Sequence, residues 1–152
     1  RRSIIGKIES VADELLMNAM YDAPATQEGV SHRERMEEAW QATSHIGDAA
    51  LLRYACGGRY FAISVEDRFG KLRKEVILDH LLSARLRRGA PVRSINQDGG
   101  AGLGLYFVLS SVTRFIVNVD PEHRTEVICL FDMKADRKEP CRYAKSLHLF
   151  TK

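Results

Sequence analysis

Asp98-Gly99-Gly100-Ala101-Gly102-Leu103-Gly104-Leu105 places four glycines within six positions and runs directly into an apolar stretch, Leu103 to Val112. Glycine permits positive φ and close approach of other atoms to the backbone. A glycine loop leading into a helix N-terminus offers unpaired N–H groups and a partial positive charge to an anion. Taken alone, the stretch supports a phosphate cradle and a flexible loop before a core helix equally well. Its spacing is neither GxGxxG nor GxxxxGK[ST], and no strand pattern leads directly into it, so dinucleotide-binding and P-loop readings both fail.

On the N-terminal side, Ile4, Ile5, Ile8, Val11, Ala12, Leu15, Leu16, Ala19 and Met20 recur with a helical period and predict an amphipathic helix over 4–21. It ends near Asp22, because Pro24 disfavours a helical residue before it. Glu14 and Asn18, four residues apart, project from one face of that helix. Residues 24–31 are polar and irregular, and the charged stretch Arg33 to Ala42 reads as a short helix or a loop. Two apolar and aromatic runs, 50–56 and 59–66, flank Gly57-Gly58 and predict a β-hairpin. The second run leads into Asp67-Arg68-Phe69-Gly70, where a strand-end Asp serves either as a ligand-facing carboxylate or as a turn former.

Residues 72–86 again carry apolar side chains at helical spacing, followed by the arginine-rich segment 85–93 and Asn96-Gln97-Asp98. This polar stretch reads as a lid over a ligand or as a solvated loop. After the glycines come β-branched and aromatic runs over 114–119 and 126–133, joined by a turn-rich connection over 120–124. A charged loop, 134–142, precedes an expected edge strand, Ser146 to Phe150. The element order predicts an α+β two-layer sandwich, a mostly antiparallel sheet with helices on one face.

The bulk numbers set bounds. A chain of 152 residues, 45% hydrophobic and 28% charged, reads as one soluble domain. A net charge of +3, with acids among the basic residues, argues against a nucleic-acid binder. Cys56, Cys129 and Cys141 show no CxxC spacing and read as reduced thiols of a cytoplasmic protein, neither a disulfide framework nor a zinc site. No membrane span or signal peptide is visible. The abrupt opening at Arg1-Arg2, already close to a helical pattern, reads as a piece of a longer protein.

Three stretches, taken in order, resemble the GHKL ATPase superfamily of gyrase-type ATPases, Hsp90, MutL-type proteins, sensor histidine kinases and anti-sigma serine kinases. Glu14-Leu-Leu-Met-Asn18-Ala19 resembles its N-box. Asp67-Arg-Phe-Gly70 stands where the family has the DxGxG box, with Phe69 and Lys71 in place of its glycines. Gly100-Ala101-Gly102-Leu103-Gly104-Leu105 is similar to its GxGLGL box. The family's element order is reproduced over residues 4–133. The resemblance implies the Bergerat-type version of the sandwich, a single histidine kinase-like ATP-binding domain over 1–152, and bound ATP or ADP with Mg²⁺. The anti-sigma and histidine-kinase branch is the closest match.

Residue by residue, the resemblance makes Glu14 the general base and Asn18 the Mg²⁺ ligand, an amide oxygen suiting a hard cation that keeps several waters. Asp67 would accept a hydrogen bond from the adenine amino group, and Phe69 would stack near the base or fill the pocket floor beside Gly70. Gly100, Ala101, Gly102, Leu103, Gly104 and Leu105 would offer backbone N–H groups to the phosphates. Thr125 would support the adenine, and Tyr21 and Asp22 would line the same pocket. The implied activity is serine/threonine phosphorylation of a protein partner, a sigma factor or anti-sigma antagonist, or a nucleotide-dependent partner switch. The substitutions at Phe69 and Lys71 keep a second reading open, a degenerate module without catalysis. The catalytic domain of a sensor histidine kinase is a third. Ser31-His32-Arg33-Glu34 superficially resembles a phosphoacceptor box but follows the first helix, so His32 reads as an exposed loop residue. Neither nucleic acid nor a membrane is an expected partner, and a homodimer is compatible with the sequence.

Overall fold

The computed structural model describes residues 4–22, 50–86, 101–134 and 146–152. The charged stretch 33–42, the lid segment 87–97, Gly99, Gly100 and residues 135–145 lie outside the described residues.

Helix α1 spans Ile4–Met17 and buries Val11 and Leu15, two of the apolar residues of its period, while Ile5, another of them, is exposed. From Asn18 to Asp22 the chain widens into a π-helical turn, so the α-helix ends four residues before the predicted boundary. Strands β1 (Ala50–Gly57) and β2 (Tyr60–Asp67) form the expected hairpin, with Gly58 at φ +66° in the connection. Helix α2 spans Lys74–Leu86 and buries Ile77. Helix α3 runs Ala101–Ser111, so it takes Gly102 and Gly104 into its own first turns and is not preceded by them. Strands β3 (Arg114–Asp120) and β4 (Arg124–Asp132) are joined by Pro121-Glu122-His123, and β5 spans Ser146–Thr151.

The strand order is β1-β2-β4-β3-β5. Three of the pairings are antiparallel and β3–β5 is parallel, so the sheet is mixed and the class is α+β. The parallel pairing places β5 at the edge, as expected for its position, but in the opposite sense to a further hairpin strand.

Side chains alternate across a sheet. Phe61, Ile63 and Val65 of β2, Val127, Cys129 and Phe131 of β4, and Phe115, Val117 and Val119 of β3 share one face. That face packs against Val11, Leu15 and Ala19, Ile77, and Leu105, Val108 and Val112 to form the core. Phe115 and Phe131 are fully buried within it. Burying an aromatic or large aliphatic side chain is worth roughly 1.5–3 kcal/mol, which fixes the helices on this face. Among the described residues no helix is long and apolar enough to cross a membrane.

Candidate functional site

At one end of the core face the apolar columns turn polar. On β2 the sequence Ile63, Val65 is followed at the next inward position by Asp67, and on β4 Val127 is preceded by Thr125. Asp67 and Thr125 are direct cross-strand partners. Opposite antiparallel residues hold their Cβ atoms about 4.5–5.5 Å apart, so a carboxylate and a hydroxyl share one spot. Both are buried, Asp67 at 7% exposure and Thr125 at 2%.

The Asp67 carboxylate has a local task. Its Oδ1 accepts the backbone N–H of Phe69 at 2.8 Å and that of Gly70 at 3.3 Å. This is the turn-forming use of a strand-end Asp. Oδ2 has no hydrogen-bond partner among the described residues. Thr125 Oγ1 is buried and likewise has no partner among them. A buried hydroxyl without a partner costs on the order of 1–3 kcal/mol. Burial of that kind is retained when something else satisfies the group.

Glu14 and Gly104 form the second cluster. Glu14 lies on α1, half-buried, and its carboxylate rests against the Cα of Gly104 on α3: a methyl group built on Gly104 would collide with Glu14 Oε1 and Cδ. A side chain at this position would push the Glu14 carboxylate aside, so Gly104 leaves that carboxylate its place against α3, and the contact brings together two residues 90 apart in the chain. Asn18 opens the π-helical turn and is half-buried, and this turn packs against β2. π-helical turns inside helices frequently mark functional positions, because they re-aim side chains that an α-helix would space regularly.

The remaining residues divide as follows. Phe69 is half-buried in the loop after β2, and Gly70 is buried. Leu105 is buried in the core, which leaves only its backbone to face a ligand. Ala101, Gly102 and Leu103 form the first turn of α3, and Asp22 ends the π-helical turn. Gly100 lies outside the described residues. The structure thus joins Glu14 to Gly104, and Asp67 to Thr125, Phe69 and Gly70. Among the described residues no group of three or more His, Cys, Asp and Glu gathers as a metal cluster.

Sequence reasoning missed a polar centre at the other end of the same strand pair. Asp132 closes β4, is 5% exposed, and accepts from Arg59 Nε at 3.0 Å and Nη2 at 2.8 Å through Oδ2. Its Oδ1 accepts the Lys134 N–H at 3.0 Å. The Arg59 hydrogen bond outweighs burial and lowers the Asp132 pKa below 3.8. The signal that could have found it was Asp132-Met133-Lys134, a second strand-end Asp positioned to form a turn.

Comparison with known protein families, with curated proteins and with solved structures finds no match.

Proposed function

We propose that the chain is an ATP- and Mg²⁺-binding regulatory domain of the Bergerat type, close to the anti-sigma serine kinases of the GHKL superfamily. The observation that carries this reading is the orphaned Thr125 hydroxyl, buried directly across from Asp67 at the polar end of the core face. A nucleobase edge with one amino donor and one ring acceptor suits this pair: the carboxylate Oδ2 accepts from the amino group, and the hydroxyl donates to the ring nitrogen directly or through a water. Adenine has that pattern. Guanine presents a carbonyl where adenine has its amino group, and a carboxylate repels it.

The phosphate end draws on α1 and α3. The N–H groups of the first turn of α3 carry the partial positive charge of a helix N-terminus, suited to phosphate oxygens. Asn18 supplies an amide oxygen of the kind Mg²⁺ accepts beside phosphates and water. When bound, Mg²⁺ supplies neutralisation of the charge that builds on the phosphates during transfer. Glu14, held against Gly104, is the residue to accept the proton of an attacking serine or threonine hydroxyl. That hydroxyl oxygen forms its bond to the γ-phosphorus as the bond to the β–γ bridging oxygen breaks, leaving ADP and a phosphorylated partner protein.

Titration of the folded protein with ATP, ADP and GTP, with and without Mg²⁺, tests the binding half. ATP that binds only the folded state raises the melting temperature in proportion to the logarithm of its concentration. No shift at millimolar ATP overturns the reading. Glu14→Ala tests the chemistry: phosphotransfer is lost while ATP binding is kept. Binding without transfer in the wild-type protein would favour the catalysis-free module to which Phe69 and Lys71 point.

A further inference from the structure

The DxGxG-like segment assigns Gly70 to the nucleotide, but its surroundings show a different contact. Gly70 is buried at φ +61°, and its Cα faces the β3–β4 turn and not open space. A Cβ there would collide with the Asp120 carbonyl oxygen and stand 2.7 Å from the backbone nitrogens of both Glu122 and His123. The Gly70 carbonyl accepts the Glu122 N–H at 3.4 Å. Glu122 itself has φ 61°, an unusual backbone for a residue with a side chain. The turn is closed by the His123 N–H donating to the Asp120 carbonyl at 3.0 Å, and Lys152 Nζ lies 3.7 Å from Asp120 Oδ2.

Two loops are therefore interlocked. The 67–70 loop is held by Asp67 Oδ1, and the 120–123 turn leads within two residues to Thr125, the cross-strand partner of Asp67. We infer that Gly70 and the 120–123 turn act as the positioning element of the base end. They fix the Asp67 carboxylate so that Oδ2 faces the base edge, and they fix Thr125 opposite it. Gly70 on this view touches no nucleotide and sets base selectivity through Asp67. The inference rests on the adenine reading of Asp67 and Thr125.

The test measures three affinities of the 152-residue chain, for Mg·ATP, Mg·GTP and Mg·tripolyphosphate, the last reporting the phosphate end alone. Gly70→Ala is expected to cut the ATP-over-GTP preference about tenfold while tripolyphosphate affinity stays within about twofold. The variant Pro121→Gly adds no side chain and loosens the turn by releasing a fixed φ. It is expected to cut the preference about threefold, and it carries the test if Gly70→Ala does not fold. Equal losses of ATP and tripolyphosphate affinity would mean a merely structural role and overturn the inference, as would variants that keep the wild-type preference. A wild-type protein that binds tripolyphosphate without preferring ATP, or that binds none of the three, overturns the adenine reading first and this inference with it.

Discussion

Asp67 and Asp132 close two adjacent inner strands of the sheet at opposite ends of the same antiparallel pair, and both begin a turn by accepting the N–H two residues on. Beyond that they diverge. Asp132 is completed by the protein: Arg59 takes its second oxygen with two N–H bonds, and its backbone N–H donates to Thr113 Oγ1 at 3.1 Å. Asp67 meets backbone N–H groups of its own turn, through Oδ1, and stands opposite a threonine whose buried hydroxyl has no partner among the described residues. The same residue in the same local role is a structural fastener at one end and, on the proposed adenine reading, a recognition group at the other. What separates them is whether the neighbouring side chains finish the hydrogen bonding.

The sharpest way to break this comparison is to remove each carboxylate. Asp67→Ala should weaken Mg·ATP binding by about 10- to 100-fold, the loss of a hydrogen bond to a charged acceptor. Asp132→Ala should leave that affinity unchanged and lower the melting temperature. Calorimetric titration and thermal unfolding of both variants read the two effects independently. If Asp132→Ala were the one to lose ATP, the assignment of ends would be reversed.

The two threonines give a smaller, more diagnostic effect, because it has opposite signs. Thr113→Val removes an acceptor that the Asp132 N–H uses and should destabilise by roughly 1 kcal/mol. Thr125→Val replaces an unmatched buried hydroxyl with a methyl of the same shape. It should stabilise the nucleotide-free protein by up to about 1 kcal/mol while weakening ATP binding several-fold. Denaturant unfolding with and without ATP measures both. A destabilising Thr125→Val in the nucleotide-free protein would show that the hydroxyl has a partner after all.

Much of the frame was legible before any coordinates. Helical periods marked α1 and α2, Gly57-Gly58 marked the first hairpin, and alternating β-branched residues marked β3 and β4. What was not legible depends on which surfaces meet. Nothing near Asn18 announces a π-helical turn, which in the structure packs against β2. Ser146 to Phe150 reads as a strand, but nothing in its own residues dictates that it pairs with β3 in parallel. Gly104 was legible as a glycine in a glycine-rich run, but the Glu14 carboxylate that rests against it comes from a helix 90 residues earlier. The turn-forming and ligand-facing uses of Asp67 stood as alternatives in the sequence. In the structure one oxygen serves the first, and the second use belongs to the proposed adenine contact.

Acid titration probes the Asp132 end. The hydrogen-bonded Arg59 guanidinium holds the Asp132 carboxyl below its ordinary carboxylate value. A depressed carboxylate contributes stability that is present above its unfolded pKa and lost as pH falls through the folded value. Stability should therefore drop from about pH 4 downward. Asp132→Asn should flatten that part of the curve, and Arg59→Leu should reduce it. An unchanged acid limb in both variants would remove Arg59 from its role.

The smallest expected effect is coupling between the ends. β2 and β4 separate Asp67 from Asp132 by most of an eight-residue strand, roughly 20 Å at 3.3 Å per residue. Between them lies packed core, with Cys129 fully buried beside Phe115 and Ile63. Burial pushes the Cys129 thiol up to about 12, so it stays protonated and unreactive while the core is closed. Distant sites with no shared partner add within roughly 0.5 kcal/mol. Asp67→Ala/Asp132→Ala should therefore show the ATP affinity of Asp67→Ala and the melting temperature of the two single losses summed. Thiol labelling reports on the material between: exposed Cys56 should react quickly and Cys129 slowly in all four proteins. Non-additive affinities with Cys129 still protected would place the coupling in the backbone register of β2 and β4. Non-additivity with Cys129 exposed would place it in a loosened core, and the two ends would no longer be independent.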